Sequence, residues 1–225
     1  MKKTEEFYDK LSSQYTEAIR KIVPRYEEML STLFRYLPQD FTPLTVLELG
    51  CGTGNLTSGI VHLYPNSKLV AVDISGDILS ECNNKLNNVS IQYVQENFSK
   101  LSFPEGSFDL IVSSIAIHHL VDNDKERLFQ NVHRWLTQGG IFTFSDQFRG
   151  ETEDIYQKHI DIWKNHAQKN GVSREEWKTW MDHQDSHDYH SPIRRHLKWL
   201  EDCGFHKPDC LWRYSLWSII YAKKK

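Results

Sequence analysis

Residues Val46-Leu-Glu48-Leu-Gly50-Cys51-Gly52-Thr-Gly54 set three glycines at alternate positions after an apolar run, with a carboxylate two residues before the first. Glycine lacks a Cβ and tolerates positive φ, so this run can turn sharply from strand to helix and bring bare backbone against a ligand. Glu48, at the carboxyl end of the strand, is expected to face the crevice where open α/β sheets hold their ligands. A second acid, Asp73, follows 23 residues after Gly50. That interval is close to the ~20 residues at which nucleoside-binding βαβ units place a ribose-binding acid. His118 and His119 stand after a later apolar run, and an imidazole titrates near enough to neutrality to take a proton from a hydroxyl.

The glycines alone admit a dinucleotide site, but their spacing argues against one. A dinucleotide fingerprint, G-x-G-x-x-G, wants its third glycine where this chain has Asn55. Glu48 would also set a negative charge beside any phosphate.

The spacing E-x-G-x-G-x-G resembles motif I of the class I S-adenosylmethionine-dependent methyltransferases, and residues 43–146 resemble the rest of that family's core in order. The resemblance implies that Leu69-Val-Ala-Val-Asp73-Ile74 is the second strand, with Asp73 on both ribose hydroxyls and Ile74 against the adenine. Val94-Gln-Glu-Asn97-Phe98 resembles the end of the third strand, where the family usually offers an aspartate to the adenine amino group. An asparagine carbonyl can still accept from an amine. Phe108 to Ser114 and Ile115 resemble the fourth strand and its exit, and Leu136 to Gly140 the turn into the fifth. Tyr15 and Arg20 resemble lid residues of bacterial small-molecule members, in which an arginine approaches the cofactor's carboxylate. The implied cofactor is S-adenosylmethionine, with S-adenosylhomocysteine as product. Its binding set is Tyr15, Arg20, Glu48, Gly50, Cys51, Gly52, Asn55, Asp73, Ile74, Asn97, Phe98, Ser114 and Ile115. His118 and His119, beside the methyl group in the family, are the catalytic candidates.

Those residues require alternating strands and helices. The expected fold is α/β: a Rossmann-like, seven-stranded, mostly parallel sheet with an antiparallel last strand and helices on both faces. Phe7, Leu11 and Tyr15 recur at helical spacing, as do Tyr26, Leu30, Leu33, Phe34 and Leu37 after Pro24. Pro24 is read as opening the second of these helices. Leu56, Ile60 and Leu63 form a third stripe, Ile78, Leu79, Cys82 and Leu86 a fourth, and Leu128, Val132 and Trp135 a fifth. Ser191 reads as an N-cap before Pro192, and Gly204 as the stop. Strands are expected over 207–212 and 215–222. The whole chain is read as one methyltransferase domain. Residues 1–36 are N-terminal lid helices, 43–146 the cofactor core, 147–190 a helical lid insertion, and 191–225 a C-terminal helix and strand pair.

The insertion is rich in Trp and His. Ile155, His159, Ile162 and His166 fall on one stripe and are expected to face inward. His183, His187 and His190, interleaved with Asp182, Asp185 and Asp188, would share a face of a continuous helix. Imidazole with carboxylate is a legitimate metal set. Such polar runs are more often solvated, so no metal ligand is assigned.

The chain has 225 residues, 27 Lys and Arg against 30 Asp and Glu, and four cysteines with no C-x-x-C spacing. Reduced thiols, a cytoplasmic location, no membrane partner and no nucleic-acid partner are the expectations. The expected partner is a small-molecule methyl acceptor, and the chain is read as monomer or homodimer. Two alternatives stand beside this reading: a non-catalytic S-adenosylmethionine-binding partner subunit, and a methyltransferase acting on RNA or protein.

Overall fold

The computed structural model describes residues 15–225, and the expected Phe7 and Leu11 positions lie outside them. Two helices, α1 (Tyr15–Ile22) and α2 (Tyr26–Arg35), lead into the alternating core. There follow β1 (Thr45–Leu49), α3 (Asn55–Leu63), β2 (Lys68–Asp73), α4 (Gly76–Lys85), β3 (Ile91–Gln95), β4 (Phe108–Ser114), α5 (Asp122–Trp135) and β5 (Leu136–Gln147). The insertion folds as α6 (Glu153–Lys169) and α7 (Arg174–His187). The chain then closes with α8 (Ile193–Asp202), β6 (His206–Tyr214) and β7 (Trp217–Lys223).

The seven strands form one sheet in the order β3-β2-β1-β4-β5-β7-β6. Six run parallel, and β7 is antiparallel to both of its neighbours. After β1 the chain builds outward through β2 and β3, then returns to lay β4 on the other side of β1. The order therefore reverses between β1 and β4, and the loops leaving their carboxyl ends border a crevice.

Strand alternation divides the core between the two faces. Val46, Leu69, Leu110, Val112, Ile141 and Ile219 pack with Ile19, Met29, Leu33 and Ile60 on one side. Leu47, Leu49, Val72, Ile111, Phe142 and Phe144 pack with Phe129, Val132, Trp135 and Leu200 on the other. Continuous apolar runs in β1 and β4 follow from burial on both faces.

Four local expectations differ. Helix α2 begins two residues after Pro24, behind Arg25 in a left-handed conformation (φ 56°). Ser191 does not cap α8, because its hydroxyl donates to Asp122 Oδ1 at 2.5 Å and Pro192 takes the N-cap position. Leu63 sits exposed at the end of α3. In α6 the inward face is Ile160, Trp163 and Ala167, while Ile155 and Ile162 are both 42% exposed. Burying the large indole of Trp163 outweighs burying two isoleucines, and the helix rotates accordingly.

Candidate active site

The glycine turn leaves β1 at the reversal point. Gly50 has φ 74°, and a Cβ there would lie 2.3 Å from the Ala116 Cβ in the loop after β4, so the two loops can meet only around a glycine. The N–H groups of Gly50 and Cys51 both donate to the Val72 carbonyl (2.8 and 3.0 Å), and that of Gly52 donates to Asp73 Oδ2 (2.9 Å). Asp73 Oδ1 accepts from the Ser75 N–H at 3.1 Å. The first three donors of the turn are thus engaged within the protein, and an anionic pyrophosphate would find none of them vacant.

A cavity of about 870 Å³ opens beside this turn. Gly50, Cys51, Gly52 and Asn55 line one wall, and Asp73, Ile74 and Ile78 a second. Asn97 and Phe98 form a third, and Ser114, Ile115 and His119 a fourth. Tyr15 and Tyr26 cover it. Two contacts tie the covering helices to the turn: the Thr16 and Thr53 hydroxyls lie 2.7 Å apart, and Asn55 Nδ2 donates to the Tyr26 hydroxyl at 3.2 Å.

Behind it lies a second, more enclosed cavity of about 370 Å³ that shares Tyr15 and Ile115 with the first. Ile19, Ile22 and Val23 wall one side, Trp163 and Trp180 another, and His118, Gln147, His183 and Asp188 form a polar end. Trp163 Nε1 donates to the Ile22 carbonyl at 2.8 Å, docking α6 on α1. Ile115 holds φ 53°, an uncommon conformation for a β-branched residue, and its N–H donates to the Ser145 carbonyl at 2.8 Å.

The polar end is an imidazole and carboxylate cluster. His118 Nδ1 lies 2.5 Å from Asp146 Oδ1, and the His118 N–H donates to the other oxygen of the same carboxylate at 2.9 Å. Around Asp188 Oδ1 stand His119 Nδ1 at 3.0 Å, His118 Nε2 at 3.6 Å and His183 Nε2 at 3.8 Å. His190 Nε2 lies 3.9 Å from Asp188 Oδ2, and its Nδ1 is 2.9 Å from the Tyr156 hydroxyl. Asp188 reaches the cluster because α7, started by a Ser173–Glu176 capping box, ends at His187. The following segment is then pinned by the Tyr189 N–H donating to the His118 carbonyl at 2.8 Å. The buried Lys125 ammonium donates to the Tyr189 carbonyl and to Ser191 Oγ.

Burial pulls the His118 pKa down, but the carboxylates of Asp146 and Asp188 outweigh it and hold that imidazole above its usual value. Burial raises Asp146 and Asp188 too, yet the neighbouring His118 charge leaves both carboxyls below the usual range. Burial lowers His119, with the His118 charge adding to it, and lowers His183 to about 4 and His190 to about 3.

Residues 46–140 match the family model described as a methyltransferase domain. The carboxy-S-adenosyl-L-methionine synthase of Shewanella sediminis is 25% identical over 75% of this chain and 71% of its own. The malonyl-[acyl-carrier protein] O-methyltransferase of Bacillus anthracis is 27% identical over 70% of this chain and 55% of its own. A solved S-adenosylmethionine-dependent methyltransferase of Mesorhizobium loti has the same fold, with a TM-score of 0.62 at 20% identity, covering 86% of this chain and 96% of its own.

The chain carries a methyltransferase domain over residues 46–140.

It is therefore an enzyme whose cosubstrate is S-adenosylmethionine, and the first cavity's residues fit a nucleoside of that kind. Among the described residues a Cβ on Gly52 would meet only Tyr15 Cε1, at 3.8 Å, an ordinary contact distance. An acid for a diol and apolar faces for a base, Ile74 and Phe98, line the same space.

Of the residues expected to bind the cofactor, eleven line that cavity: Tyr15, Gly50, Cys51, Gly52, Asn55, Asp73, Ile74, Asn97, Phe98, Ser114 and Ile115. Glu48 does not. It lies fully buried beneath the turn, with neither carboxylate oxygen at hydrogen-bonding distance from a partner among the described residues. Burial pushes its carboxyl well above the usual range, which the nearby Thr57 hydroxyl only partly offsets. Arg20 is likewise elsewhere: its guanidinium pairs with Glu27 at 2.8 Å on the exposed side of α1, opposite Ile19 and Ile22. Asn97 lines the cavity, but its Oδ1 accepts from the Ser99 N–H and hydroxyl (2.8 and 2.9 Å), capping the short helix Phe98–Lys100. Both lone pairs of that carbonyl are taken, so the adenine-amine role expected of it meets no vacant acceptor.

His118 faces the second cavity, His119 lines the first, and their rings are 4.0 Å apart. The His183, His187 and His190 set separates: His183 and His190 approach Asp188 from its two oxygens, and His187 is not among the cluster's ion pairs. Sequence reasoning passed over Tyr26, Thr53, Asp146, Gln147 and Lys125. Asp146 and Gln147 carried a readable signal, as an acid and an amide at the carboxyl end of a core strand.

Proposed function

We propose that the enzyme transfers a methyl group from S-adenosylmethionine to a small molecule held in the second cavity, with S-adenosylhomocysteine as coproduct. The observation that carries this reading is the enclosed second cavity, which borders the first through Tyr15 and Ile115 and is walled by the protein's own helices. A small acceptor suits that space, whereas a folded RNA or protein does not. The net charge of −3 gives a polyanionic partner no attraction.

On the cofactor side, Asp73 takes the ribose hydroxyls, its carboxylate lying at the carboxyl end of β2 on the cavity wall. Ile74 and Phe98 flank the adenine. Gly50, Cys51, Gly52 and Asn55 border the methionine end, which Tyr15 covers. When bound, the sulfonium supplies an already activated methyl group. The protein's own share is to place the acceptor atom about 3 to 3.5 Å from that carbon, exclude water and ease removal of a proton. His118 and His119 meet the nucleophilic atom at the polar end of the cavity, with Asp146 fixing the His118 ring.

The test is incubation with methyl-labelled S-adenosylmethionine and a cell extract separated by mass. Label in the low-mass fraction is expected. Label confined to protein or RNA contradicts the reading, and cofactor binding with no transfer to any fraction supports the non-catalytic module instead. Replacing His118 by Ala should lower turnover by roughly 10²- to 10⁴-fold while cofactor affinity changes little.

A further inference from the structure

We propose that His118, His119 and Asp188 bind a divalent transition-metal ion of the zinc class at the wall between the two cavities, with its open position turned to the acceptor. The inference rests on the small-molecule reading above for the ligand, but on the residues alone for the ion.

Geometry comes first. One ligand atom from each of the three residues lies within 4.8 Å of the others. Ligand atoms about 2.1 Å from a tetrahedral ion are about 3.4 Å apart. The distances from Asp188 Oδ1 to His119 Nδ1 and His118 Nε2, 3.0 and 3.6 Å, bracket that figure. His183 Nε2, 3.8 Å from the same oxygen and lining the second cavity, stands where a fourth ligand or an acceptor would enter.

The surroundings match a metal centre as well. Imidazoles that hold metals usually carry a carboxylate on their other nitrogen, which fixes ring and tautomer, and His118 has Asp146 in that position at 2.5 Å. Asp146 and Asp188 put two negative charges into a buried site that a divalent cation would neutralise. An independent observation points to a ligand beside them. Gln147, 8% exposed, lines the same cavity and presents a buried Oε1 with no hydrogen-bond partner among the described residues. A metal-bound hydroxyl or thiol compound with a second donor group would satisfy it.

Imidazole with carboxylate favours zinc and its neighbours over magnesium or calcium, and an incomplete protein shell is the mark of a catalytic rather than a structural site. The inferred acceptor class is therefore a small compound whose nucleophilic oxygen or sulfur can coordinate such an ion.

The experiment is elemental analysis of protein purified without chelator, followed by cobalt(II) titration of chelator-treated protein. The expected results are near-stoichiometric zinc, iron or nickel, and a saturable visible absorption of tetrahedral or five-coordinate cobalt. Asp188→Asn and His119→Ala should abolish that absorption. Asp146→Asn should weaken cobalt affinity about 10- to 100-fold, and His187→Ala should leave it unchanged. Circular dichroism and S-adenosylhomocysteine binding establish that each variant is folded. No retained metal and no saturable cobalt spectrum, in protein that still binds S-adenosylhomocysteine, would overturn the inference and leave methyl transfer standing. A normal cobalt spectrum in a protein that labels no small molecule would leave the ion and remove the acceptor reading.

Discussion

Asp73 illustrates how much one side chain does at the carboxyl end of a strand. Its two oxygens hold the Gly52 and Ser75 N–H groups, so it shapes the turn before it meets a nucleoside. Asp73→Asn keeps one oxygen and loses the charge. We predict cofactor affinity lower by roughly 10- to 100-fold, since hydrogen bonds to a charged group contribute about 1.5–3 kcal/mol, measured by calorimetry on variant protein with an unchanged circular dichroism spectrum. Gly50→Ala is a different case. With φ at 74° and Ala116 in the way, the added methyl requires the two loops to part, and the expected cost is at least ~2 kcal/mol, read by thermal unfolding.

Glu48 carries the pH dependence. Its carboxyl is raised by burial, so below the ordinary carboxylate range it is neutral whether folded or unfolded and contributes no penalty. As pH rises above that range the unfolded chain releases the proton and the native chain does not, and stability falls toward the raised native pKa. Glu48→Gln lacks this loss. Its melting temperature relative to the parent should therefore climb between pH 5 and pH 8, and a gap that stays constant or shrinks would contradict the assignment.

Helices set the boundaries of what the sequence could reveal. The order of strands and helices, the glycine turn and the acid after β2 were legible because they are local: periodicity and spacing are written within a few residues. The covering helices were less so. Ile155 and Ile162 made as good a stripe as Ile160, Trp163 and Ala167, and what decided between them was a distant Ile22 carbonyl waiting for the Trp163 indole. Arg20 misled for the same reason, since only the docked orientation of α1 turns it toward Glu27. Trp163→Ala should cost about 3–5 kcal/mol, because it empties the contact with Trp177 and Trp217 and orphans that carbonyl. Lys125→Met tests the other hinge of the site. It removes the tie to Tyr189 and Ser191 that draws Asp188 inward, so turnover should fall while the affinity for S-adenosylhomocysteine holds.

Across the whole molecule, the reversal of strand order between β1 and β4 places two cavities in line, and the chain assigns them to different parts of its length. Residues of the alternating core form most of the first. The second takes its walls from α1, α6, α7 and the segment after α7, with only Ile115, His118 and Gln147 drawn from the core. Cofactor binding was accordingly the legible half of the function. The second cavity is built from contacts between segments some 140 residues apart, such as Ile22 with Trp163, which no local pattern encodes.

A crystal structure with S-adenosylhomocysteine tests most directly whether the vacated methyl direction points into the second cavity. The ribose should lie on Asp73 and the thioether sulfur should turn past Tyr15 and Ile115 toward His118, His119 and Asp188. A sulfur directed to open solvent, or a nucleoside bound away from the Gly50–Gly54 turn, would contradict that placement.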